Sequence, residues 1–83
     1  MKINYVSWLS NELGKNSEEI KIDRDVSILE LLSLLEGAYS QQHKYIFKDP
    51  EIVRASVNGK LVEPGTIISN NAEVTLFAPM SGG

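Results

Sequence analysis

Residues 27–37 read Ser-Ile-Leu-Glu-Leu-Leu-Ser-Leu-Leu-Glu-Gly, and they predict the main helix of the chain. Ser27 and Glu30 have the spacing of a capping box, in which each side chain bonds the other residue's backbone amide. The apolar residues that follow recur at i, i+3, i+4 and i+7, which is one face of a helix: Ile28, Leu31, Leu32 and Leu35. We expect this face to pack on a sheet, and Gly37 to supply the left-handed residue that ends the helix.

Two strands are predicted before this helix. Ile3–Leu9 is rich in β-branched and aromatic residues, which favours a strand with both faces partly covered. Residues 10–17 are polar and predict a loop. Glu18–Asp23 alternates, with Ile20 and Ile22 pointing inward, as a half-buried strand does. The two strands are close enough in sequence to form an antiparallel hairpin.

Further strands are predicted after the helix. Ala38–Pro50 is polar and irregular, whereas Ile52–Val57 predicts a third strand. Asn58-Gly59 is a strong hairpin-turn signal, because both central residues of such a turn have positive φ. The remaining expectations are a returning strand at residues 60–62, turns at Pro64-Gly65 and Asn70-Asn71, a single turn or short bridge at residues 66–68, and a final strand at Glu73–Phe77.

The element order predicts a two-layer α+β domain of the β-grasp type. One helix can cover one face of a sheet, so we expect a mixed sheet of four to five strands packed on one main helix. The connection through that helix favours a parallel pairing between the first strand and a later one. The predicted domain covers residues 1–77, and residues 78–83 form an extended tail.

Composition excludes several classes of function. The chain has 83 residues, no cysteine and a net charge of -3, with its eight lysines and arginines scattered. These features argue against disulfides, thiolate metal sites and nucleic-acid binding. His43 stands alone in a polar segment, and the acids near the helix start, Asp23, Asp25 and Glu30, suit the helix dipole. We therefore expect no metal site, no membrane span and a cytoplasmic protein.

The end of the chain offers the chemistry that the body lacks. It reads Phe77-Ala78-Pro79-Met80-Ser81-Gly82-Gly83 and places a carboxylate on two glycines. Glycines can thread a narrow channel because they carry no side chain, and a proline lowers the entropy lost when a partner captures the tail. Fully extended, the six residues after Phe77 reach roughly 20 Å. The alternative is a frayed end without a role.

This tail, on a body of this size and element order, resembles the small sulfur-carrier subunits of molybdopterin synthase. The family tail has an aromatic residue, two prolines, an aliphatic residue, a small residue and Gly-Gly. Ala78 replaces the first proline here, and Met80 stands in the aliphatic place. The opening strand followed by Glu12-Leu13-Gly14 and the turn at Val57-Asn58-Gly59 also fit, although thiazole-synthesis carriers and other ubiquitin-like proteins share them.

The resemblance implies a non-catalytic sulfur donor within a heteromeric transferase. A ubiquitin-activating-type adenylyltransferase would use ATP and magnesium to adenylate the Gly83 carboxylate, and a persulfide donor would then convert it to a thiocarboxylate. The large subunit of molybdopterin synthase, in a heterotetramer, would receive the tail for dithiolene synthesis. Gly83 would carry the sulfur, and the tail that binds the partner would be Phe77, Ala78, Pro79, Met80, Ser81 and Gly82. The carrier itself would hold no cofactor.

Three other functions stay open at this point. The chain could carry sulfur for thiamine thiazole or another metabolite. It could be a ubiquitin-like modifier that forms isopeptide bonds with lysines, since the chemistry of its tail would begin identically. It could also be a β-grasp binding module with an inert end.

Overall fold

A computed structural model of the chain describes residues 1–39, 45–48 and 52–79. Residue His43 and most of the predicted irregular segment therefore lie outside the described residues. The elements in chain order are β1 (Lys2–Tyr5), α1 (Ser7–Leu13), β2 (Ser17–Glu19), β3 (Val26–Ser27), α2 (Ile28–Ala38), a 3₁₀ helix (Tyr45–Phe47), β4 (Arg54–Val57), β5 (Lys60–Val62), β6 (Ile67–Ile68) and β7 (Glu73–Phe77).

The main sheet has five strands in the order β2-β1-β7-β4-β5. β1 and β7 are parallel, with Lys2 opposite Glu73 and Tyr5 opposite Leu76. The other pairs, β1 with β2, β4 with β7 and β4 with β5, are antiparallel. The predicted mixed sheet of the β-grasp type, with its first and last strands adjacent and parallel, is confirmed. β3 and β6 form a separate two-stranded sheet beside it.

The main helix forms where its capping box predicts. The Ser27 hydroxyl accepts a hydrogen bond of 3.1 Å from the Glu30 amide, and the Glu30 carboxylate accepts one of 3.0 Å from the Ser27 amide. The buried face of α2 is the one that the spacing indicated: Ile28, Leu31, Leu32 and Leu35. These side chains join inward residues of the central strands in one core, which includes Ile3, Tyr5, Val74 and Leu76.

Gly37 does not end the helix as predicted. α2 continues through Ala38, and Tyr39 follows it in an extended conformation, at φ -99°. Tyr39 stops the helix because its side chain is held by tertiary contacts: the ring stacks on Phe47, with centroids 5.3 Å apart, and the hydroxyl bonds Glu18. Glycines with positive φ lie elsewhere, at Gly14 and Gly59.

The predicted strand Ile3–Leu9 is wrong in its second half. The strand ends at Tyr5, and α1 begins at Ser7, within what was predicted as strand, and covers part of the predicted loop at residues 10–17. Leu9 is fully buried and Leu13 packs against the core one turn later, so a helix satisfies both contacts where a strand would not. Gly14 caps this helix in the left-handed conformation, at φ 75°.

The strand predicted at Glu18–Asp23 is wrong after Glu19: β2 covers Ser17–Glu19, although Ile20 and Ile22 still pack on the core beyond it. Asn58 and Gly59 have φ of 55° and 79°, which confirms the hairpin turn. The predicted bridge at residues 66–68 pairs with β3, an arrangement that the sequence did not indicate. No helix in the described part of the chain is long and apolar enough to cross a membrane.

Candidate functional site

The strand that leads into the tail is the middle strand of the main sheet. β7 lies between β1 and β4, and its register ends with Leu76 opposite Tyr5 and Phe77 opposite Arg54. The Val6 amide adds a hydrogen bond of 3.4 Å to the Leu76 carbonyl. The chain therefore leaves the sheet from its most constrained strand, which fixes the direction in which the tail starts.

The predicted site residues fall into two groups. Phe77 is the last residue of β7, and Ala78 and Pro79 follow it without regular structure. Phe77 and Ala78 are half-buried, and Pro79 is exposed. The other four, Met80, Ser81, Gly82 and Gly83, lie outside the described residues. The structure thus describes the start of the tail, residues 77–79, which we call the tail root, but not its end.

The root of the tail opens on the sheet face that α2 does not cover. In β7, Val74 and Leu76 are buried towards the helix, so the intervening Thr75 and Phe77 point to the other face. Two apolar side chains near this face are exposed: Leu61 of β5, two strands from β7, by 58%, and Val6, directly after β1, by 39%. Apolar side chains thus flank the last strand on this face.

A polar cluster that the sequence did not predict joins the two layers. We call it the Glu18 cluster; it consists of Tyr5, Lys15, Glu18 and Tyr39. The hydroxyls of Tyr5 and Tyr39 donate hydrogen bonds of 2.5 and 2.6 Å to one oxygen of Glu18. The Lys15 ammonium lies 3.4 Å from the other oxygen and 5.4 Å from the centre of the Tyr39 ring.

The contacts within this cluster shift the pKa values of its acidic groups away from pH 7. Burial raises the pKa of the Glu18 carboxyl, but the hydrogen bonds from Tyr39 and Tyr5 and the charge of Lys15 outweigh it, so the pKa lies below its ordinary value. Burial, and then the hydrogen bond to Glu18, raise the pKa of Tyr5 and of Tyr39. None of these three groups can exchange a proton readily near pH 7. The arrangement suits a structural role, holding parts of the fold together, and not general acid–base catalysis.

Other candidate sites are poor within the described residues. No group of three or more His, Asp or Glu side chains there is placed to hold a metal ion. An open groove of about 710 Å³ lies between the β4–β5 turn and β6, with Asn58, Lys60 and Ile67 among its lining residues. The groove also touches Glu73, the first residue of β7, so it lies at the end of the sheet opposite the tail root.

Several solved structures share this fold. SAMP1 of Haloferax volcanii superposes with a TM-score of 0.75 at 23% identity, covering 99% of this chain and 97% of that one. The HVO 2177 protein of the same organism gives 0.74 at 21%, with 99% and 84% covered. A putative molybdopterin converting factor, subunit 1, of Pyrococcus furiosus gives 0.72 at 20%, with 95% of each chain covered. At these identities the likeness establishes the fold.

Sequence comparison identifies the family. No curated protein matches the chain. The model of the ThiS family, however, matches residues 3–83, which includes the strands and helices described above, apart from Lys2 at the start of β1, and the whole tail. With a match over nearly its full length, the chain belongs to the ThiS family.

Proposed function

We propose that the chain is a sulfur carrier whose reactive group is the carboxylate of Gly83. The observation that carries the proposal is the family match, which runs through Gly82 and Gly83. The position of the tail root supports it, because a strand held on both sides presents the tail in a fixed direction. Within the described residues no cluster of side chains competes as an active site.

A carboxylate does not react with a sulfur nucleophile directly, so the Gly83 carboxylate has to be activated first. The Gly83 carboxylate attacks the α-phosphorus of ATP on an activating enzyme, and pyrophosphate leaves. A persulfide then displaces AMP from the acyl carbon, and a second thiol reduces the resulting acyl disulfide, which leaves a thiocarboxylate on Gly83. The side chains that catalyse these steps belong to the partner enzymes. The carrier contributes a narrow, reachable end and a rigid body.

We propose further that the sulfur serves molybdopterin synthesis, with the large subunit of molybdopterin synthase as the receiving partner. The approach to the glycines supports this branch, because an aromatic residue, Phe77, and a proline, Pro79, precede them as in the tails of the small subunits. The Pyrococcus furiosus structure with the same fold carries the name of a molybdopterin converting factor subunit.

Mass spectrometry of the intact protein tests the carrier role directly. Protein isolated from its own cells, or incubated with the activating enzyme, magnesium ATP and a persulfide donor, should gain the oxygen-to-sulfur mass increment on the C-terminal peptide. A variant without Gly82 and Gly83 is the control and should stay unmodified. A carboxylate that remains unmodified in every preparation would overturn the proposal.

The same preparations separate the branches of the proposal. Co-purification with a molybdopterin synthase large subunit, and dithiolene formation when the two are mixed with a pterin precursor, support the molybdopterin branch. Sulfur transfer to a thiazole instead would reassign the pathway while keeping the carrier role. Conjugates that survive a denaturing gel and vanish on deletion of Gly83 would show a ubiquitin-like modifier, a role compatible with the fold that SAMP1 shares.

A further inference from the structure

A cation stands directly beside the root of the tail. Arg54 lies opposite Phe77 in the β4–β7 ladder. Their neighbours along the two strands, Ala55 and Leu76, are buried towards the core, so Arg54 and Phe77 point to the open face of the sheet. Arg54 is half-buried, yet it forms none of the ion pairs or side-chain hydrogen bonds found in the described parts of the chain.

Within the described residues, the acids on the adjoining strands do not pair with Arg54. Glu63 would be the next partner of Arg54 along the β4–β5 ladder. The chain turns there, however, and the Thr66 amide donates a hydrogen bond of 3.0 Å to the Glu63 carbonyl. The side chains of Arg54 and Glu63 form no ion pair. Glu73 shares the open face, but it accepts a hydrogen bond of 2.7 Å from Asn4. It also lies four residues from Phe77 along β7, about 13 Å away, beyond the Debye length of about 8 Å.

Any protein that captures the tail must approach this cation. The tail reaches roughly 20 Å at most beyond Phe77, so the body of the capturing protein has to come within that distance of the end of β7. The surface it meets there combines exposed Leu61, half-buried Phe77 and the Arg54 guanidinium, which has no ion-pair partner among the described residues. Arginine beside apolar side chains is typical of protein interfaces, since its planar, weakly hydrated group binds carboxylates through two hydrogen bonds.

We propose that Arg54, Phe77 and Leu61 form a docking surface for a partner protein that presents a carboxylate within an apolar rim. The carboxylate pairs with Arg54, and the rim covers Phe77 and Leu61. The inference rests on the proposed function, because the partner is the activating enzyme that captures the tail for adenylation. A phosphate backbone fits this surface poorly, since one arginine in a chain of net charge -3 offers too little positive charge.

Kinetics of adenylation test the pairing. The probe is the activating enzyme from the same organism, and the readout is ATP–pyrophosphate exchange at varied carrier concentration. Arg54→Glu should raise the KM for the carrier by about tenfold or more, as expected when an interfacial charge pair is replaced by repulsion, while kcat changes little. Arg54→Lys should keep much of the affinity. The wild-type KM should rise with salt concentration, and that of Arg54→Gln should rise less.

Lys60→Glu is the matched control. Lys60 is exposed at the other end of the sheet, and its replacement by glutamate changes the net charge by the same amount as Arg54→Glu does. It lies opposite Val57, whose side chain packs on the core, so it belongs to the face away from Arg54. The control should keep the wild-type KM. Thermal melts of all variants establish that each one folds; if Arg54→Glu does not, Arg54→Gln decides the KM comparison alone.

Each result decides a different claim. Folded Arg54→Glu and Arg54→Gln proteins with the wild-type KM overturn the docking surface and leave the carrier role intact. An equal rise in KM for Lys60→Glu also overturns it, since a general charge effect would then explain the loss. A wild-type chain that is never adenylated overturns the carrier role, and the inference falls with it.

Discussion

The hydroxyl of Tyr39, which follows the last residue of α2, donates a hydrogen bond of 2.6 Å to the carboxylate of Glu18 on the edge strand β2. This contact ties the helical layer to the sheet across 21 residues of sequence. Tyr5, from the neighbouring strand β1, bonds the same oxygen. The carboxylate thus holds together the edge strand, the adjacent strand and the end of the main helix.

Replacing Glu18 by glutamine should remove part of the pH dependence of stability. The pKa of Glu18 is lowered in the folded state, so the unfolded chain binds the proton first, at an ordinary pKa of about 4.3. The stabilisation is therefore present above that pH and is lost as pH falls through the lower, folded-state pKa. Urea unfolding at a series of pH values should show a shallower loss of stability on acidification for Glu18→Gln than for the wild type.

Glu19→Gln is the control for that experiment. Glu19 is the next residue of the same strand, and its side chain points to the other face. Its variant should keep the acid dependence of the wild type. If Glu18→Gln also keeps it, the cluster contributes no measurable electrostatic stabilisation.

Two glycine substitutions should have opposite effects on stability. Gly37 lies inside α2 with open space around the position of a Cβ, so Gly37→Ala should stabilise the fold by about 0.5–1 kcal/mol. Gly59 has the same open space, but its φ of 79° is strained for alanine, so Gly59→Ala should destabilise it by about 1–2 kcal/mol. Thermal unfolding would measure both. Equal shifts would mean that neither backbone conformation controls the outcome.

What the sequence predicted correctly rests on local signals. The capping box at Ser27 and Glu30, the helical spacing after it and the Asn58-Gly59 turn each need residues only a few positions apart. The alternation in Glu73–Phe77 likewise predicted the final strand with its correct bounds. The parallel pairing with β1 followed from the connection through one helix, which leaves few arrangements.

What the sequence did not predict depends on distant contacts. Val6 and Trp8 favour a strand by composition, yet burial of Leu9 and Leu13 on the core turns that segment into a helix. Gly37 fits a helix end by type, but the contacts of Tyr39 place the end two residues later. The Glu18 cluster joins residues 13 and 21 positions apart, and no local pattern marks such a group.

Removing the helix cap should weaken the fold measurably. Ser27→Ala deletes the hydroxyl that accepts the Glu30 amide and should cost about 0.5–2 kcal/mol. Ser33→Ala, at an exposed position of the same helix, should be neutral or slightly stabilising because alanine is the better helix former. Denaturant unfolding of the pair isolates the cap. Equal stability of the two variants would show that water replaces the hydroxyl without loss.

Adding one alanine after Gly83 should abolish sulfur loading and leave the thermal melt unchanged. The added methyl group and the displaced carboxylate would prevent the end of the chain from entering a channel that fits glycines. The melt should not move, because the sheet register ends at Phe77, six residues before the end of the chain. Mass spectrometry after incubation with the activating enzyme, magnesium ATP and a persulfide donor measures the loading. Ser33→Ala, at an exposed position of α2, leaves the tail intact, so it should load as the wild type does. A loaded extended chain would place the reactive group elsewhere, and a clear fall in melting temperature would give the tail a structural role instead.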